Sequence, residues 1–220
     1  MLKLEVKKTL TPKELELMKL RFLKLCNKIS LPRNIALNYF KQLKDLYCQT
    51  NRYYHNLVHI FNFLHLQDVF LDKIKQPLLF EIAIWYHDVV YNVKNNDNEL
   101  QSFFLVQDHF DNFLESKQII YIDHLIMSTV RHFPKANHSD ILYFLDFDLA
   151  ILATDEATYK LYSDAIWKEY ESCYSREIYE KGRIKVLKNF LLREKLYFSE
   201  VFNEEYDKIA RHNILLELNR

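Results

Sequence analysis

The sequence predicts an all-α protein, and three observations carry that prediction. Only one glycine, Gly182, occurs in 220 residues, whereas tight hairpin turns lean on glycine for their positive φ angles. Apolar residues recur at spacings of three and four, the period of one helix face. Prolines and capping residues stand where such periodic runs begin and end. Together these predict about eight to ten helices joined by short polar loops.

The first helix starts at Thr11–Glu14. Thr11 serves as N-cap, Pro12 fills the first helical position and Glu14 closes a capping box. Leu15, Met18, Phe22, Leu25 and Ile29 form its apolar face, and Pro32 follows its end. A second helix is expected over roughly 33–49. A third begins near Tyr54 and carries Ile60, Phe63 and Leu64. Pro77 opens a fourth, which holds the stretch IAIWYHDVVY at 82–91. NNDNE at 95–99 reads as a loop and N-cap. Further helices are expected at about 97–114, 117–132, 139–153, 156–173, 177–194 and 200–218. No repeat, low-complexity tract or Pro/Gly/Ser linker interrupts the chain, so one all-α domain over 1–220 is the economical reading.

Composition narrows the function. Lysine plus arginine equals aspartate plus glutamate, 30 each, so no overall field draws the chain to nucleic acid or to an anionic membrane. The three cysteines show no CxxC spacing, which argues against a disulfide framework or a thiolate zinc site. A reducing, cytoplasmic setting is the simplest expectation. The N-terminus lacks an apolar signal core, and no apolar run is long enough to span a bilayer. With one glycine, neither a phosphate-cradling loop nor a dinucleotide turn can be built.

The chemistry lies in ionisable residues set among apolar ones. YYHNLVHI places His55 and His59 four apart, on one face of a helix. WYHDVV puts His87 and Asp88 side by side after Leu78–Tyr86, whose only charge is Glu81. TVRHF ends an apolar helix with His132. YFLDFDLAIL sets Asp146 and Asp148 among aromatic and aliphatic residues. Buried ionisable groups are costly unless compensated. Imidazole and carboxylate together are the ligand set of a divalent ion such as manganese, iron, cobalt or zinc. Such a cation would balance Asp88 and Asp148 and hold the histidines neutral.

The order His59, His87–Asp88, Asp148 resembles the H…HD…D series of the HD superfamily of metal-dependent phosphohydrolases. RYYHNLVHI, IAIWYHDVVY, DNELQS, TVRHF, FLDFDLAIL and YEKGRIKVLKNFLLREKLY are similar to one bacterial subfamily of HD-type phosphohydrolases with unassigned substrate. The resemblance covers about 52–197. It implies a helical HD-type bundle in which His59, His87, Asp88 and Asp148 hold one divalent metal ion per chain (Mn, Fe, Co, Zn or Mg). It further implies hydrolysis of a phosphate ester or anhydride of a nucleotide or other small phosphorylated metabolite. Asp88 would orient water, His55 and His132 would serve substrate or the ligands, and Glu99 is a further catalytic candidate beside a capping role in Asn96–Glu99. Asp146 is then a cap or a support to the ligands, and Arg52, Arg183 and Arg193 are candidate phosphate grips. Two other readings stand beside it. In an HD-type di-iron oxygenase, His109 and His132 would supply added ligands, although VQDHF reads more naturally as surface. In a helical binding or scaffold protein, the site would be vestigial.

Overall fold

The structure, a computed structural model, describes residues 2–134 and 138–219. It is all-helical: ten α-helices and two short 3-10 turns, with no strand among the described residues. The helices are α1 (Pro12–Lys28), α2 (Arg33–Tyr47), α3 (Leu57–Val69), α4 (Pro77–Tyr86), α5 (Asn98–Phe110), α6 (Ser116–Ser128), α7 (Ser139–Asp148), α8 (Glu156–Tyr170), α9 (Arg176–Leu191) and α10 (Glu200–Leu218).

The capping box that opens α1 forms as read. The Thr11 hydroxyl accepts from Glu14 N, and the Glu14 carboxylate accepts from Thr11 N at 2.7 Å. Most ends fall short of the sequence reading, because the last turns give way to caps and 3-10 turns. Helix α7, for instance, stops at Asp148, and Ala150–Ala153 continues as a 3-10 turn.

Helix α4 is the central element. Seven of its ten residues are buried, and α1, α3, α5 and α6 pack around it. Phe63 of α3, Phe80 of α4, and Phe144 and Phe147 of α7 meet in edge and tilted contacts, the geometry aromatic quadrupoles favour. Helix α10 lies against α9 and the 3-10 turn after α7. No helix among the described residues is long and apolar enough to cross a membrane.

Three buried carboxylates tie helix starts to distant parts of the chain. Asp140 of α7 accepts from Lys75 N and Gln76 N, ahead of α4. Asp146 accepts from Phe198 N and Ser199 N at 2.7 Å each, ahead of α10. Glu169 of α8 accepts from Tyr53 N, Tyr54 N and His55 N, ahead of α3. These N–H groups precede helices whose own early N–H groups point the same way, so each carboxylate also meets the positive end of a helix.

Candidate metal centre

The third helix begins at Leu57, with Asn56 as N-cap accepting from Val58 N. His55 therefore sits in the turn before α3, and the expected shared helix face with His59 is not formed. The fourth helix likewise ends sooner than read. His87 is its C-cap, with Asp88 in the following turn. The His87 backbone is still in the αR region, so both side chains can reach one point from the helix end. His132 lies beyond α6, which stops at Ser128. Its φ is +45°, a left-handed conformation that costs a non-glycine residue roughly 1–3 kcal/mol. Arg193 steadies it by donating to the carbonyls of His132 and Arg131 at 2.7 and 2.9 Å.

The end of α4, the first turn of α3 and the last residue of α7 bring His59, His87, Asp88 and Asp148 together. One potential ligand atom from each lies within 4.8 Å of all the others. The two imidazole Nε2 atoms are 3.0 Å apart. Asp148 Oδ1 lies 3.3 Å from His59 Nε2, and Asp88 Oδ2 lies 3.1 Å from His87 Nε2. Ligand atoms bonded at about 2.1 Å sit about 3.0 Å apart when cis in an octahedron and about 3.4 Å apart in a tetrahedron. The spacing thus fits one divalent ion, and so does the nitrogen and oxygen donor set.

Electrostatics point the same way. His87 Nδ1 lies 3.0 Å from the Ile84 carbonyl, so Nδ1 carries the proton and Nε2 turns its lone pair inward, as a ligand must. Two such nitrogens facing each other require a proton or a cation between them. Burial lowers the His87 pKa, but the Asp88 and Asp148 carboxylates outweigh it and hold it well above the ordinary histidine value. Burial and the neighbouring His87 push His59 down. Asp88 and Asp148 are held below the carboxylate range, because the adjacent histidines outweigh their burial. A cation entering the cluster would take the place of the His87 proton.

Around these four stand groups that orient them. His132 Nε2 contacts Asp148 Oδ2 at 2.9 Å. His55 Nδ1 contacts Glu169 Oε2 at 2.6 Å, and its ring stacks on Tyr91. Burial opposes the charged form of His55, but Glu169 raises its pKa overall. Glu99, in the first turn of α5, makes no hydrogen bond through its side chain among the described residues. Burial raises its pKa, with Asp88 and Asp148 adding to the effect. The N-cap of α5 is Asp97, without a side-chain cap bond, so the capping arrangement expected over Asn96–Glu99 is not the one formed.

A cavity of about 850 Å³ opens beside Asp148, His55 and His132 and runs between α8 and α9. Arg183 and Arg193 line it, with Arg183 paired to Glu217 at 2.9 Å. Arg52 does not line it. Its guanidinium is buried and donates to the main-chain carbonyls of His55, Asp88 and Val89 at 2.9, 2.6 and 2.7 Å. Arg52 therefore clamps the turn that carries His55 to the turn that carries Asp88 from behind, in place of the expected reach toward phosphate.

His109 is a correction of a different kind. It is buried rather than on the surface, stacked on Tyr39 and held by Tyr86 Oη at 2.7 Å and Gln42 Oε1 at 2.9 Å. Those contacts place it with α2 and α4, apart from the four-residue cluster. Burial lowers its pKa to about 4. The unfolded-chain value is about 6.5, so the unfolded state takes up the proton first as pH falls. Stability from neutral His109 is complete above about pH 6.5 and is lost on going down to 4, by about 1.4 kcal/mol per pH unit at most. Urea melts of wild type and His109→Gln between pH 4 and 7.5 should show that slope reduced in the variant. Parallel curves would refute the assignment.

Glu169 escaped the sequence reading, although a signal existed. It falls on the same face of α8 as the buried Tyr162, Ala165 and Ile166, where an acid is unexpected. No family model matches the chain, and neither a curated protein nor a solved structure matches it.

Proposed function

We propose that the chain is a metal-dependent phosphohydrolase of the HD type, acting on a phosphate ester or anhydride of a small metabolite such as a nucleotide. The observation that carries this reading is the pair of Nε2 atoms 3.0 Å apart, flanked by two carboxylates and open to the cavity through Asp148. His59, His87, Asp88 and Asp148 would hold one divalent ion (Mn, Fe, Co, Zn or Mg). A bound cation supplies Lewis acidity toward a phosphoryl oxygen and toward water near neutral pH.

The chain's own groups supply the rest. His55, anchored through Nδ1 to Glu169, keeps Nε2 free to pass a proton to the leaving oxygen, the work of a general acid. His132 fixes the second oxygen of Asp148 through Nε2 and lines the cavity, where only its doubly protonated ring would donate through Nδ1 to a phosphoryl oxygen. Glu99, whose carboxyl senses the charges of Asp88 and Asp148, would take a proton on that side. Arg183 and Arg193 shape the wall, and Arg52 holds the turns that carry His55 and Asp88. Free thiols at Cys26, Cys48 and Cys173 suit a reducing cytoplasm.

The oxygenase reading loses support, because Tyr86 and Gln42 occupy both ring nitrogens of His109. The test is direct. Protein purified with manganese should release phosphate from at least one class among nucleotides, sugar phosphates and pyrophosphates, and chelator should abolish the release. Absence of turnover across all three classes would overturn the proposal.

A further inference from the structure

Gly182 is the chain's only glycine, and it lies inside α9. Its backbone has no positive φ. A Cβ built there would meet nothing within 4 Å. Neither backbone conformation nor crowding therefore explains it. Local energetics favour alanine, since glycine in a helix interior costs about 0.5–1 kcal/mol. What distinguishes the position is its place: Gly182 lines the cavity beside the cluster.

The cavity has a consistent chemistry. Tyr54, Tyr91, Tyr162, Tyr170, Tyr174 and Tyr179 form much of its wall. At its lip, Val130, Ile178 and Val186 are 44%, 58% and 46% exposed, apolar surface that an apolar occupant would cover. Positive charge is largely committed elsewhere. Arg183 is bonded at 2.9 and 3.2 Å to Glu217, and Arg193 is bonded to two carbonyls. Arg131, at the exposed mouth, is the remaining lining arginine. Such walls suit a ring body and one phosphoryl group at the Asp148 end; a chain of phosphates would meet too few free cations.

We propose that this cavity is a ring-binding subsite whose width Gly182 sets, making the preferred substrate the phosphate monoester of a bulky aromatic alcohol. The phosphate half of this inference rests on the phosphohydrolase reading; the ring half does not. The bare α9 backbone at Gly182 lets a flat ring lie against the helix, and a side chain there would fill that space.

The probes are 4-methylumbelliferone, its phosphate monoester and methyl phosphate. Wild type should bind 4-methylumbelliferone in chelator, followed by its fluorescence. Gly182→Leu should weaken that binding about tenfold or more, the effect of a few misplaced methylenes in an apolar pocket. Val186→Trp, at the lip, is the second variant and should weaken it likewise. Gly182→Ala should melt no lower than wild type, showing that the position tolerates a Cβ. With manganese, selectivity for the aromatic ester over methyl phosphate should fall in Gly182→Leu by a similar factor, through KM. Failure of the wild type to bind the alcohol, or equal binding by wild type and both bulky variants, overturns the subsite. Binding of the aromatic ester without cleavage supports the subsite and overturns its assignment as a substrate site, and the hydrolase reading falls with it only if nucleotides, sugar phosphates and pyrophosphates are not turned over either.

Discussion

In manganese at a hundredfold excess over its dissociation constant, the wild-type protein should gain about 2.7 kcal/mol of stability over its state in chelator. For a chain of this size that is roughly 5–10 °C in Tm. His87→Ala and Asp88→Ala should each lose most of the gain, because each removes one of four ligands converging within 4.8 Å. The chelated baselines should separate the two variants. Asp88 has its nearest charged partner in His87 at 3.1 Å, and His59 is farther, at 3.6 Å. Removing it breaks the His87 pair but leaves His87 beside Asp148, so Asp88→Ala should melt somewhat lower than wild type without metal, by less than His87→Ala. His87→Ala leaves two carboxylates facing each other with less positive charge between them and should melt lower. The gain should shrink as pH falls, since the ion must displace the His87 proton. Thermal melts of the three proteins in chelator and in manganese decide the matter. Equal shifts in all three would refute the metal centre and the hydrolase reading with it.

The second large effect concerns Glu169. Its Oε1 accepts from three main-chain N–H groups at 2.7–2.9 Å, and its Oε2 meets His55 Nδ1. Glu169→Ala leaves all four donors unpaired, one of them buried and three part-buried, which should cost about 3–5 kcal/mol. Glu169→Gln is the informative variant. Its carbonyl can keep the N–H groups, but its amide would face His55 Nδ1 with hydrogens and force the other tautomer. It should fold, with phosphate release reduced at least about tenfold. The pH profile should move as well. Glu169 raises the His55 pKa, so activity that needs protonated His55 declines at a higher pH in wild type than in Glu169→Gln. Identical profiles for the two proteins would remove His55 from the reaction.

Local signals made much of the fold legible in the sequence. The Thr11 capping box, Pro12 and Pro77 at first helical positions, and the three–four spacing of Met18, Phe22 and Leu25 need no distant partner to be recognised. A cluster of ionisable residues was legible because such groups inside apolar runs demand compensation, and the resemblance to the HD series picked His59, His87, Asp88 and Asp148 from among them. What stayed hidden depends on contacts across the chain. The guanidinium of Arg52 could not be told from a phosphate grip without knowing that the carbonyls of Asp88 and Val89 lie beside it. His109 looked exposed because its partners Gln42 and Tyr86 come from two other helices. The start of α3 was read near Tyr54 rather than at Leu57 for the same reason, since the distant Glu169 satisfies the N–H groups ahead of it, whereas the starts of α4 at Pro77 and α10 at Glu200 were read correctly from local signals.

The carboxylates of Glu169, Asp140 and Asp146 also bear on how the chain acquires its shape. The donors they meet are 116, 64 and 52 residues away. An isolated segment holding α4 or α10 lacks the acceptor that defines its entrance and would fray there. Closing loops of this length is entropically unfavourable until many contacts form together. The entrances of α3, α4 and α10 therefore become defined late, along with the docking of α7 and α8. Because α7 anchors two of them, loosening that one helix would release both ends at once, so the bundle is built to open as a cooperative unit.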